Sequence, residues 1–281
     1  MTGFGDRLAA AMDALGPVCV GIDPHPGLLR EWGLADDVEG LRTFALTVVD
    51  ALAGRVAALK PQSAFFERHG SAGVAVLEEV IAATRGTGSE MIVDAKRGDI
   101  GSTMAGYADA YLREGSPLAG DAVTLSPYLG AGSLAPAVEE ALAASRGLFV
   151  LCLTSNPEGE SVQHAVAASG ESVAAGVARW AAEQNASRGE VLGPVGLVVG
   201  ATVGRAPERL AIDLSAVRGP ILAPGVGAQG AGAAELRSVF GLARSAVLAS
   251  TSRGVLRAGP ERSALRAAAA EAVSEAAAAL R

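Results

Sequence analysis

The stretch MIVDAKRGDIGST, residues 91–103, sets an apolar, β-branched run directly against a cluster of four charges. A run that is apolar at successive positions, rather than at alternate ones, predicts a strand buried on both faces, as in a parallel sheet covered by helices. Working outward from 91–95, similar runs recur at 18–23, 55–60, 121–125, 148–153, 195–200, 220–224 and 245–250. Ala-, Leu- and Glu-rich segments such as 72–85, 131–145 and 171–188 lie between them. Eight alternations of strand and helix predict an α/β fold closed as a (β/α)8 TIM barrel rather than an open sheet. Residues 1–281 read as one such domain. A helix over 6–15 would cap the barrel bottom, and 261–281 reads as the eighth outer helix, with Pro260 near its first turn.

Composition narrows the partners. The chain has 281 residues, is 50% hydrophobic and carries a formal net charge of −7 without a basic block. That excludes nucleic-acid polymers and membrane surfaces as expected partners, although a small anion needs only one or two placed cations. No stretch reaches the ~18 apolar residues of a membrane span, and the first residues lack the basic-then-apolar order of a signal peptide. Cys19 and Cys152 lie in short apolar runs with no CxxC or Cys/His pair. They predict reduced core thiols in a cytoplasmic protein. His25, His69 and His164 are scattered without metal-site spacing, and His25, in DPHPG, falls in a loop near the barrel mouth.

In such barrels the chemistry sits just beyond the C-terminal ends of the strands. The residues there are Asp23, Lys60, Asp94 with Lys96, Ser126, Thr154 with Ser155, Thr202, Gly225 and Arg253. The connection 155–190, opening on SNPEGE, is the longest and is a candidate lid. Of the 23 basic residues, 21 are Arg and only Lys60 and Lys96 are Lys. Arg stays protonated, whereas a Lys ammonium can give up its proton, so a chain that otherwise uses Arg has a chemical reason for Lys where a proton is donated. The plainer alternative is that both lysines survive as ordinary ion pairs.

Within DAKRGD, Asp94 and Lys96 are two apart on a strand end, so their side chains leave the same face. Gly98 permits a sharp turn that would fold Asp99 back, giving an acid–base–acid array at the mouth of an apolar barrel. Such charges are costly to bury unless paired. A salt-bridged cluster closing the barrel top is the bland reading.

The run DAKRGDIGST, 94–103, resembles the D-x-K-x-x-D-I-x-x-T signature of orotidine 5′-phosphate decarboxylases. The resemblance extends in order along nearly the whole chain: Asp23, Lys60, this signature, Ser155, PGVGAQG at 224–230, then Arg253. Length and the KPQSAFFE segment resemble the longer-chain bacterial subgroup (type 2). The resemblance implies decarboxylation of orotidine 5′-monophosphate (OMP) to uridine 5′-monophosphate (UMP) without metal or cofactor. It implies Lys96 as proton donor between Asp94 and Asp99, and Asp23 and Lys60 on the ribose. Ser155 would meet the pyrimidine edge, and Gly225, Gly227, Gln229 and Arg253 the phosphate. It also implies a homodimer in which Asp99, Ile100 and Thr103 reach the neighbouring subunit's site. The family shows Gly directly before the phosphate Arg, where this chain has Ser252.

Gly225–Gly230 also fits G-x-G-x-x-G, but no acidic residue closes a following strand to hold a dinucleotide ribose. Bare amides at a helix start suit a single phosphate, and a plain tight turn is the alternative. Two other functions compete with the decarboxylase: a metal-dependent lyase or epimerase of sugar phosphates on the same barrel, and a non-catalytic nucleotide-phosphate binding barrel.

Overall fold

The computed structural model describes residues 2–186, 191–226 and 232–280. Its strands are β1 (Val18–Ile22), β2 (Ala58–Pro61), β3 (Glu90–Arg97), β4 (Ala122–Leu125), β5 (Gly147–Leu153), β6 (Val195–Val199), β7 (Ile221–Pro224) and β8 (Val247–Thr251). They pair in parallel in sequence order, and β8 closes onto β1 through Val18 opposite Ala249. All eight apolar runs are strands, and the fold is the (β/α)8 barrel.

Alternation along the strands divides the core in two. Cys19, Ala58, Ile92, Ala122, Phe149, Leu222 and Leu248 point into the barrel. Their neighbours Val18, Val20, Leu59, Val93, Val123, Leu148 and Val150 pack outward under the helices. Two residues on from the inward set, toward the C-terminal ends, the interior turns polar: Lys60, Asp94, Thr124 and Ser250 line a cavity there. One step of the pleat separates hydrophobic floor from reactive mouth.

The helix α1 (Phe4–Leu15) closes the opposite end, somewhat longer than the span 6–15 read from sequence. Its Phe4, Leu8, Ala11 and Met12, spaced along one helical face, join the barrel interior. Phe4 meets Phe149 edge-on, with ring centroids 6.1 Å apart. Glycine is required opposite: a Cβ on Gly147 would come within 2.0 Å of the Phe4 ring. Arg7 of α1 reaches Glu90 Oε2 at 3.1 Å and Asp121 Oδ1 at 3.4 Å, pinning the cap electrostatically.

Burial, then the Asp121 carboxylate, push the Glu90 pKa up to about 7 against the pull of Arg7. The folded value thus exceeds the unfolded one near ~4.3. Stability from this group is fully present below that value and is lost as the pH rises through about 7. Glu90→Gln, which cannot ionise, should therefore gain on the parent from pH 5 to pH 8, so that the Tm difference, parent minus variant, falls. A difference independent of pH would mean that Glu90 is ionised throughout.

Seven strands are followed by substantial helices. The sixth crossover, 200–220, carries only a four-residue turn of helix (Ala206–Arg209) and a 3-10 turn (Ser215–Val217). Gly200 and Gly204 break its start, and Gly219 with Pro220 close it. The last helix is Arg262–Leu280, and Pro260 stands two residues before it, near its first turn.

Candidate active site

A cavity of about 530 Å³ opens at the C-terminal ends of the strands. Asp23, Lys60, Asp94, Lys96, Ser155, Gly225 and Arg253 all line it. Glycine at position 21 keeps one corner open, since a Cβ there would come within 2.8 Å of Asp23 Oδ2 and 2.9 Å of Ser252 Cβ.

The centre is an ion-paired chain across β2, β3 and β4. Asp94 Oδ2 accepts from Lys60 Nζ at 2.8 Å, and Asp94 Oδ1 accepts from Lys96 Nζ at 2.6 Å and from Thr124 Oγ1 at 2.8 Å. The side chains of Asp94 and Lys60 are only 7% and 8% exposed, against 42% for Lys96. Lys60 is thus buried against Asp94 while still lining the cavity wall, and Lys96 presents its ammonium to the cavity. Burial alone would raise the Asp94 pKa, but the ammonium groups of Lys60 and then Lys96 outweigh it and hold the carboxyl well below the usual range. For Lys60, burial pulls down and Asp94, then Asp23, push up more strongly, so its ammonium is held charged.

The backbone at this point is irregular. Val93 lies opposite Val123 and Arg97 opposite Leu125, so β3 takes four steps while β4 takes two. Asp94, Ala95 and Lys96 thus share the single partner Thr124, as a bulge that re-aims side chains. Lys96 takes the strain, with φ at +47°. A non-glycine residue there costs about 1–2 kcal/mol. The turn expected at Gly98 is made instead at Lys96. Gly98 is needed for closeness, because a Cβ on it would come within 2.2 Å of the Ser126 carbonyl oxygen.

That geometry corrects the picture of Asp99 folding back within the chain. Arg97 O accepts from Ser126 N at 2.7 Å, so the chain continues along the end of β4 and carries Asp99 away. The Asp99 carboxylate accepts from Ile100 N at 2.8 Å and does not reach Lys96. Asp99, Ile100 (61% exposed) and Thr103 lie on the outside of the mouth and do not line the cavity. Ser126 and Thr202 do not line it either; Thr124 and Gly200, which keep the inward parity of their strands, do.

At the end of the cavity where the sequence reading expects a phosphate, Gly225 has φ at +96°, which favours glycine, and Arg253 and Arg257 both face the cavity. Gly227 and Gln229 lie outside the described residues. His25 lines the cavity, its ring edge-on to Phe65 at 4.3 Å. After β5 the chain makes a 3-10 turn (Pro157–Gly159) and a short helix (Glu160–Gln163). Gln163 ties this segment down, accepting from Thr154 N at 2.9 Å and donating to Thr154 Oγ1 at 2.7 Å.

Sequence reasoning missed Thr124, Gln62 and Arg257. Gln62 Oε1 stands 3.5 Å from Lys96 Nζ. The signal for Thr124 and Gln62 was available: each is two residues beyond an inward position on its strand. Among the described residues no group of three or more His, Cys, Asp or Glu side chains is placed to hold a metal ion. Both cysteines are buried and free. Burial pushes each thiol up to about 12, although Lys60 opposes this at Cys19. Among the described residues no helix is long and apolar enough to cross a membrane.

Residues 16–268 match the family described as "Orotidine 5'-phosphate decarboxylase / HUMPS family". The orotidine 5′-phosphate decarboxylase of Salinispora arenicola is 60% identical over 261 residues, covering 93% of this chain and 92% of that protein. That of Streptomyces coelicolor is 58% identical over 261 residues, with the same coverage of 93% and 92%. A solved structure from Streptomyces avermitilis matches with a TM-score of 0.95 at 57% identity, covering 100% of this chain and 96% of that one. Leishmania donovani OMP decarboxylase matches with a TM-score of 0.77 at 32% identity, covering 99% of each chain.

Proposed function

The chain belongs to the orotidine 5′-phosphate decarboxylase / HUMPS family and decarboxylates OMP to UMP in pyrimidine biosynthesis, and on that premise we propose how its residues do so. The observation that carries the reading is the Lys96 ammonium, exposed to the cavity and held on Asp94, which is itself anchored by buried Lys60.

The C6–carboxylate bond breaks, CO₂ leaves, and the bonding pair stays on C6 in the ring plane, where delocalisation helps little. Without an electron sink the protein must supply fixed charge and a proton. Lys96 stabilises the developing carbanion and transfers its proton to C6; solvent then restores the ammonium. Asp94 faces the substrate carboxylate. Two like charges ~4 Å apart repel by about 4 kcal/mol at an effective dielectric near 20, a repulsion that ends as CO₂ departs. Lys60 and Lys96 offset part of it.

Asp23 Oδ1 is buried without a hydrogen-bond partner among the described residues, which suits a ribose hydroxyl donor. Ser155 holds the pyrimidine edge. Arg253, with Gly225, Gly227 and Gln229, binds the phosphate, and Ser252 before Arg253 adds a hydroxyl where the family has glycine. Residues 1–281 act as one domain in the cytoplasm, in keeping with two free buried thiols. Two copies form a homodimer in which Asp99, Ile100 and Thr103 complete the neighbour's site; their position outside the cavity of their own chain supports this.

Purified protein mixed with OMP and a chelator is expected to consume the orotate absorbance and release CO₂ in equal amount. Turnover that vanishes with the chelator would favour a metal-dependent sugar-phosphate lyase. Tight nucleotide binding without turnover would favour a binding barrel.

A further inference from the structure

The bulge in β3 leaves Lys96 without a regular ladder partner at the residue whose ammonium the site depends on. Its backbone N–H is not orphaned, because it donates to Thr124 Oγ1 at 3.0 Å. That hydroxyl in turn donates a hydrogen bond to Asp94 Oδ1 at 2.8 Å. Thr124 is 1% exposed, points inward from β4 and lines the cavity floor. One hydroxyl thus grips both ends of the three-residue bulge: the main chain of Lys96 and the carboxylate that receives the Lys96 ammonium at 2.6 Å. A serine, threonine or other short hydroxyl is the side chain that can accept from one and donate to the other in this place.

We propose that Thr124 is a positioning residue, which holds the left-handed turn at Lys96 and the rotation of the Asp94 carboxylate so that the ammonium is delivered to the reacting carbon. The inference rests on the reading of Lys96 as proton donor. Thr124 bonds to Lys96 N and Asp94 Oδ1, away from Arg253 and Gly225, so its effect belongs to the rate of the chemical step and not to nucleotide affinity. Displacement of a reacting group by about 1 Å can cost on the order of 100-fold in rate.

The test is Thr124→Val, which keeps the shape and deletes the hydroxyl, beside Thr124→Ser, which restores it, and Lys96→Ala in parallel. Kinetics with OMP are compared with the dissociation constant for UMP. Thr124→Val is expected to lower kcat by about tenfold or more, with KM and UMP affinity within about threefold of the parent, and Thr124→Ser to recover most of the rate. A Thr124→Val enzyme with parental kcat overturns the proposal. So does a loss of rate matched by a loss of UMP affinity that serine does not rescue, since that is the mark of a damaged pocket. Should Thr124→Val not fold, Thr124→Ala is judged by the same thresholds. Inert Lys96→Ala beside fully active Thr124→Val sinks this inference alone, whereas Lys96→Ala turning over at the parental rate sinks the proton-donor reading itself.

Discussion

Lys96→Ala is expected to bind UMP and to melt close to the parent, yet to lose decarboxylation by about 10⁴-fold or more. The magnitude combines the roughly 10²–10⁴ typical of a positioned general acid with the roughly 10²–10³ typical of one well-placed electrostatic stabiliser. The fold should survive because the Lys96 side chain is 42% exposed and belongs to neither core cluster. Asp94 keeps Lys60 and Thr124 as partners when Lys96 is gone. Lys96→Arg should be nearly as inert. It preserves the positive charge, but a guanidinium does not release its proton at the operating pH. Loss of orotate absorbance measures turnover, and thermal melting reports the fold. An active Lys96→Arg enzyme would mean that charge alone suffices.

Asp94→Ala is expected to fail twice, in chemistry and in stability. Removing one member of a buried ion pair typically costs about 3–5 kcal/mol, because the other charge is left uncompensated. Here the stranded group is Lys60, 8% exposed and 2.8 Å from the carboxylate it would lose. For a barrel of this size, that is a drop in Tm of roughly 6–15 °C. Asp94 is lowered in the folded state, so its contribution is present above its unfolded pKa near ~3.9 and is lost as the pH falls toward the folded value. Lys60 is raised, so its contribution is present below ~10.4 and is lost as the pH rises through the folded value. The penalty of Asp94→Ala should therefore be flat between about pH 4 and pH 10 and shrink in strong acid. Turnover should fall at least ~10²-fold at every pH. A variant that melts with the parent would show that Lys60 finds Asp23 as a sufficient replacement.

Much of this was legible in the sequence because its physics is local. A strand buried on both faces must be apolar at every position, and all eight such runs are strands of the barrel. Lys96 was legible because a chain that spends 21 arginines on ordinary positive charge leaves its two lysines conspicuous. Thr124 was legible only by counting strand parity, since a lone threonine in AVTL otherwise reads as β-branched filler. Spacing could not reveal that β3 takes four steps against two of β4. That register shift moves the sharp turn from Gly98 to Lys96 and sends Asp99 outward, where a calculation of alternation within one strand has nothing to say. The rhythm of strand and helix gave no sign that the sixth crossover carries only short turns.

The left-handed backbone of Lys96 has an implication for engineering. Glycine or asparagine would sit there with less conformational penalty, and either would be welcomed by a selection that scores only heat resistance. A thermostabilised library screened without its substrate would therefore drift, at this one position, toward a sturdier and inert barrel. Keeping lysine in a place that prefers glycine is the trace that selection for turnover leaves in the main chain.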